Sequence, residues 1–304
     1  MGLISTVRGG VSHLPSILRE YGVAGGMKRF CGLSYWRLAH NVEGRSIFSE
    51  DWDVCIILDA CRADELRRQK NGFEWLNHVE TFPSLASCTY HWMPRTFSDG
   101  RFEDTVYVCS NPFSQEFLKS DDFQILDEVW KYAWDDQKGT VLPRPVTDRA
   151  IQHGRETNFD RMVVHYLQPH VPFLVGNSNK LDKANFELGR DGCEDDWTRV
   201  TRGDLDRETA IENYRVTLST VLNEVDTLVS NIDAEDVVIT ADHGEAFGEW
   251  GLYGHPFGVN LPCLTAVPWV ETRATDQRTH NPDEYDREAQ VLDRDKQLQS
   301  LGYK

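Results

Sequence analysis

The chain has 304 residues, 40% of them hydrophobic, enough for one large α/β domain or two small ones around a proper core. Its 32 basic and 49 acidic residues give a net charge of -17, a field that repels nucleic acid and anionic lipid. A general polyanion-binding role is thereby excluded unless a local basic site exists. Lys is scarce beside Arg and the acids are spread along the chain, as on the solvated acidic surface of a salt-loving organism's proteins. Seven cysteines without a C-x-x-C pair argue against a zinc knuckle or a disulfide framework and for small core residues or free thiols.

The first forty residues carry Arg8, Arg19, Lys28, Arg29 and Arg37 against only Glu20, with Leu14, Ile17, Leu18 and Tyr21 at helical spacing. Residues 1–48 are expected to form a basic helical extension, suited to peripheral contact with a membrane or to packing outside the core. MGLIST fits the bare myristoylation pattern, which is short and common by chance. With no apolar run of about eighteen residues and no signal-peptide core, the expected location is cytoplasmic.

From Asp51 the pattern changes to that of an α/β domain, expected over 49–272. Val54 to Leu58, VCIIL, reads as a buried parallel strand that ends in Asp59, and a helical segment follows to about Asn71. Val79 to Phe82 reads as a strand before the cluster Ser87, Cys88 and Thr89, three side chains able to act as nucleophiles. Val106 to Cys109 is a strand running into the polar turn of Asn111 and Pro112, and Gln115 to Trp134 carries helical spacing. Thr147 is expected to cap a helix through about Glu156. Arg161 to Leu167 reads as a strand that brings His165 and His170 to its end.

Residues 176–206 are polar and irregular, as in a lid or a surface excursion. Arg207 to Ile232 has one apolar helical face and feeds the strand Val237 to Thr240, whose end holds Asp242, His243 and Glu245. A glycine-rich loop then returns His255. Residues 273–304 read as a solvated linker and a last helix. The alternation predicts a mostly parallel sheet with helices on both faces.

Ligands of such sheets gather beyond the carboxyl ends of the strands. There Asp59, Asp242, His243, His165 and His170 converge, with His255 returning from its loop. This mixture of carboxylate and imidazole suits zinc, manganese, calcium or magnesium. No G-x-G-x-x-G or phosphate-loop pattern follows the first strand, which argues against a nucleotide-binding fold.

Four blocks, ILDACRADEL around Asp59, SCTYHWMP around Thr89, VHYLQPHVPF around His165 and His170, and TADHGEAFGEWGLYGH around Asp242 and His243, resemble the sulfatase branch of the alkaline phosphatase superfamily. The ending DRDKQLQSLGYK is similar to the leucine-glycine-tyrosine finish common in that family. The resemblance implies an alkaline-phosphatase/sulfatase-like fold without the separate C-terminal subdomain. It implies that Asp59, Asp242 and His243 are metal ligands and that the divalent metal also holds the nucleophile. His165, His170 and His255 fall where the family binds ester oxygens, protonates the leaving group or holds a second metal. Arg62 is a further contact to the ester, with a structural ion pair as its other reading.

The family's modified Cys or Ser stands in C/S-x-P-S-R, whereas here Tyr90 and Trp92 occupy the Pro and Arg places if Cys88 is aligned to it. The Ser-x-Thr-x-x-Trp spacing resembles the branch in which an unmodified Thr attacks. Thr89 is therefore the expected nucleophile, ahead of Cys88 and Ser87. The expected activity is metal-dependent hydrolysis of a sulfate or phosphate ester of a small molecule, glycan or lipid-linked sugar. The alternatives are a phosphodiesterase or phosphotransferase, or a catalytically degenerate protein that binds an anionic glycan.

Overall fold

The structure is a computed structural model and describes residues 26–27, 30–36, 43–98, 100–175, 195–287 and 292–303. Most of the expected basic extension, and residues 176–194 of the irregular insertion, lie outside the described residues. No described helix is long and apolar enough to cross a membrane.

The strands are β1 (Val54–Leu58), β2 (Glu80–Pro83), β3 (Phe102–Cys109), β4 (Phe123–Glu128), β5 (Trp134–Asp135), β6 (Thr140–Val141), β7 (Arg161–Tyr166), β8 (Ala234–Thr240), β9 (Ala246–Phe247), β10 (Tyr253–Gly254) and β11 (Ala266–Ala274). Helices are α1 (Ala63–Arg68), α2 (Thr89–Thr96), α3 (Ser114–Phe117), α4 (Pro143–Glu156), α5 (Asp196–Arg202), α6 (Arg207–Val229), α7 (Pro262–Thr265) and α8 (Arg294–Ser300). Seven strands form one sheet in the order β2-β11-β8-β1-β7-β3-β4, and β5-β6 and β9-β10 are two-stranded ribbons. β1 lies between β7 and β8, parallel to both, and β3 continues the parallel run to β4. β11 is antiparallel to β8 and β2. The protein is thus an α/β domain with a mostly parallel sheet.

All five residues of β1 are buried, which is why that strand reads as an uninterrupted apolar run. Each such aliphatic side chain contributes about 1.5–3 kcal/mol by leaving water. The long helix α6 buries Ile211, Tyr214, Leu218, Val221, Leu222, Val225 and Leu228, the face its periodicity marks out. It starts with Asp206, whose carboxylate accepts from the Thr209 N–H.

Two local expectations differ from the structure. The helical spacing over 115–134 breaks into the short α3 and the edge strand β4, where only Phe123 and Asp127 are buried, so no apolar alternation betrays the strand. Helix α4 begins at Pro143 rather than at a Thr147 cap, since proline suits a first turn whose N–H groups lack partners. The Thr147 hydroxyl instead lies 2.8 Å from the Tyr166 hydroxyl. The stretch after β11 is largely exposed and is hydrogen-bonded to the domain. His280 N–H donates to Asn231 at 2.8 Å, and the Asp148 carboxylate of α4 accepts from the Tyr285 hydroxyl at 2.6 Å.

Asp127 at the sheet edge holds α4 in place. Its Oδ2 accepts from Arg149 Nε at 2.7 Å and lies 2.7 Å from His153 Nε2, and its Oδ1 accepts from the Tyr132 hydroxyl. Burial opposes the carboxylate, but His153 and Arg149 outweigh it and lower its pKa from 3.8 to about 2. A depressed carboxylate stabilises the fold above its unfolded pKa, and this contribution is lost as pH falls through the folded value. Asp127→Asn, which leaves Arg149 buried without its anion, is expected to cost about 3–5 kcal/mol in urea unfolding at neutral pH. The gap between variant and wild type should close as pH falls from 3.8 towards about 2.

Candidate active site and metal centre

The parallel register places the key side chains by chain geometry alone. Ile57 pairs with Thr240 on one side and His165 on the other, so Asp59 and Asp242 both lie just past the carboxyl ends of adjacent strands. Ala60 sits at φ 62, a left-handed conformation that is strained for a residue with a Cβ. That turn aims the Ala60 N–H at Asp242 Oδ1, 3.2 Å away, and its carbonyl accepts from the Tyr214 hydroxyl. Gly244 is required for a different reason: a Cβ there would lie 2.0 Å from the Cys263 carbonyl oxygen.

Asp59, Asp242 and His243 are fully buried, and one potential ligand atom from each lies within 4.8 Å of the others. Thr89, at the first position of α2, enters this group. Its hydroxyl donates to Asp242 Oδ2 at 2.7 Å and lies 3.3 Å from Asp59 Oδ2 and 3.2 Å from His243 Nε2. The other candidate nucleophiles face elsewhere. Ser87 Oγ donates to the Pro256 carbonyl, and Cys88 Sγ lies 3.6 Å from His91 Nδ1, its thiol pushed up to about 12 by burial.

The donor set fits a divalent cation. Asp59 Oδ1 is buried with no hydrogen-bond partner. His243 Nδ1 faces the Gly244 carbonyl at 2.8 Å, which fixes the proton on that nitrogen and turns the Nε2 lone pair to the carboxylates. The carboxylates also favour a second proton on the imidazole. Burial works against a charged His243, but Asp242 and Asp59 raise its pKa to about 10. Burial alone would likewise raise Asp59, yet His170, His243 and His165 hold it well below the usual carboxylate range.

Six neighbours complete the surroundings. Asn111 Nδ2 donates to Asp59 Oδ2 at 2.9 Å, and Ser84 Oγ donates to the Asp242 carbonyl. His255 Nδ1 lies 3.0 Å from Glu245 Oε1, and its Nε2 is 3.3 Å from His170 Nε2. Burial and His243 push His255 down to about 3, while burial pushes Glu245 up to about 8. The Tyr303 hydroxyl lies 3.3 Å from both His170 Nε2 and His255 Nε2.

The structure therefore brings Asp59, Thr89, Asp242 and His243 together and sets His170 and His255 beside them. His165 is expected at the ester oxygens, the leaving group or a second metal, and the structure sets it against Asp59. It flanks Asp59 from β7, with Nε2 4.0 Å from Asp59 Oδ2 and unpartnered, and Nδ1 2.9 Å from the Tyr107 hydroxyl. Arg62 is used within the protein. Its guanidinium binds both Asp64 oxygens, Glu249 and the Glu245 carbonyl and lies over Phe247 at 4.2 Å, a brace from α1 to the β9-β10 ribbon. Asn111 and Tyr303 are absent from the residues expected at the site. Asn111 had one signal, a polar residue just past a strand end; Tyr303 had only the leucine-glycine-tyrosine ending, which does not by itself point to the site.

Fold and site together define an α/β domain whose strand ends converge on a buried carboxylate, imidazole and hydroxyl cluster. No protein-family model and no curated protein matches the chain. Among solved structures it is similar to the integral membrane protein lipooligosaccharide phosphoethanolamine transferase A of Neisseria meningitidis, at 16% identity and a TM-score of 0.48. That match covers 79% of this chain and 51% of the other, so the chain spans about half of that protein's length. It is also similar to the C-terminal periplasmic domain of a phosphoethanolamine transferase from Campylobacter jejuni, at 15% identity, 72% and 78% coverage and a TM-score of 0.49. A 2-O GAG sulfatase matches at 11% identity, covering 75% of this chain and 66% of its own, with a TM-score of 0.45.

Proposed function

We propose that the protein is a metal-dependent enzyme that cleaves or transfers the phosphoryl or sulfuryl group of an ester, with Thr89 as nucleophile. One observation carries the reading: the Thr89 hydroxyl sits among Asp59, Asp242 and His243, with its O–H directed at Asp242. A divalent cation held by these residues supplies charge neutralisation for the ester oxygens and lowers the pKa of the hydroxyl. Asp242 accepts the hydroxyl's hydrogen bond, Asn111 orients Asp59, and the Gly244 carbonyl orients His243. His170 and His255 stand on the leaving-group side.

The phosphate ester is the favoured substrate, because the hydroxyl at the cluster belongs to an unmodified Thr and Cys88 points to His91. The organic part is that of a small molecule or glycan, and residues 1–48 supply any peripheral membrane contact. Aryl phosphate, bis-aryl phosphate and aryl sulfate, each assayed with manganese, zinc, calcium and magnesium at low and high salt, test the reading. Turnover of at least one ester with one metal is expected. Binding of an ester by metal-loaded protein without release of phosphate or sulfate would instead establish a degenerate binding protein.

A further inference from the structure

The last described segment enters the site through its own local chemistry. Helix α8 ends in a Schellman motif: Tyr303 N–H donates to the Leu298 carbonyl at 2.9 Å and Gly302 N–H to that of Gln299 at 3.0 Å. Gly302 takes the left-handed position at φ 86, and a Cβ there would lie 3.2 Å from Asp195 Cβ. Leu301 is buried, which pins the turn, and the next residue is thrown inward. The Tyr303 ring stacks on His170 at 5.6 Å and meets Phe113 edge-on at 4.7 Å.

The hydroxyl has a defined hydrogen-bond problem. His170 Nδ1 faces the Val171 carbonyl, which can only accept, so the neutral imidazole turns a lone pair towards Tyr303. The Tyr303 hydroxyl is equidistant from His170 Nε2 and His255 Nε2, 3.3 Å each, and those nitrogens are 3.3 Å from one another. Its single O–H is thus a donor held loosely among acceptors. The same tyrosine lines a cavity of about 230 Å³ with Trp197, Tyr253, His255, Phe257 and Gly302. On the other side, His255 is 4.5 Å from His243, ring to ring, and so adjoins the Thr89 cluster. Tyr303 therefore stands at the boundary between the reacting group and the space for the organic part, where the bridging oxygen of an ester must lie.

We propose that Tyr303 donates a hydrogen bond to the leaving-group oxygen of the ester, whose organic part occupies the adjoining cavity. This rests on Thr89 being the nucleophile of an ester-cleaving enzyme. A donor aimed at the leaving oxygen matters in proportion to the negative charge that develops there. Tyr303→Phe keeps the ring contacts and removes only the donor.

The test compares kcat/KM of wild type and Tyr303→Phe on 4-nitrophenyl phosphate, phenyl phosphate and methyl phosphate, with the metal that best supports wild-type turnover. The methyl ester, a poor leaving group, is expected to lose about 100-fold, and the 4-nitrophenyl ester less than about 3-fold. Gly302→Ala, which displaces the tyrosine without changing its chemistry, is expected to give the same graded pattern should the first variant fold poorly. An equal loss on all three esters would mean a structural role and overturn the proposal, as would no loss on any. Absence of turnover of every ester by the wild type would overturn the reading of the whole site, an outcome seen before any variant is compared.

Discussion

Thr89→Ala is expected to lower turnover of an aryl phosphate by about three to six orders of magnitude, the range seen when an enzyme loses the atom that forms its covalent intermediate. The substitution removes the hydroxyl that donates to Asp242 Oδ2 and borders Asp59 and His243. It also leaves the buried Asp242 carboxylate short of a donor, so a loss of about 1–3 kcal/mol in stability is expected. Thr89→Ser retains the attacking oxygen and should keep measurable turnover. Cys88→Ala should stay within about 3-fold of wild type, because the thiol faces His91 and not the cluster. Steady-state assays of the three variants decide the matter. An inactive Cys88→Ala beside an active Thr89→Ala would transfer the nucleophile to the thiol.

Asp242→Asn is expected to abolish the response of stability to metal. In the wild type, a cation at about 100 times its Kd should stabilise the fold by about 2.7 kcal/mol. The amide keeps an oxygen for the Ala60 and His243 N–H groups, which Asp242 Oδ1 accepts at 3.2 and 2.8 Å, so the variant should fold. It replaces the anionic oxygen beside Thr89 with a donor and removes a hard ligand from the set. It also removes the anion that most favours a charged, buried His243, so its metal-free melting temperature is expected to fall below that of the wild type. Melting curves with chelator and with each cation measure both effects. A full metal-induced rise in the variant would mean that the cation binds elsewhere.

The legibility of this site had a physical limit. Asp59, Asp242 and His243 could be read because each follows an apolar run, and a buried parallel strand ends where polarity returns. His165 shows where that rule fails. It lies within β7 and not past its end, and the pairing Ile57–His165–Cys109 buries it beside Tyr107 and Trp92. Arg62 had two readings, an ester contact and a structural ion pair, and the structure shows the second: two carboxylates, a carbonyl and an aromatic ring engage its guanidinium. The edge strand β4 was illegible because a strand with little buried surface carries no alternation to detect.

The sequence by itself determined the α/β class, the central strands, the long helix α6 and the residue types of the candidate metal site, because these follow from periodicities and breaks within a few residues of one another. Only the tertiary structure decided that β8, β1 and β7 are neighbours and that the Thr89 hydroxyl, rather than Ser87 or Cys88, faces Asp242. It alone decided that Asn111 holds Asp59, and that the turn at Gly302 brings Tyr303 against His170 and His255. The difference is one of range: hydropathy patterns report which groups leave water, whereas strand order and side-chain pairing come from hydrogen bonds and packing between segments far apart in the chain.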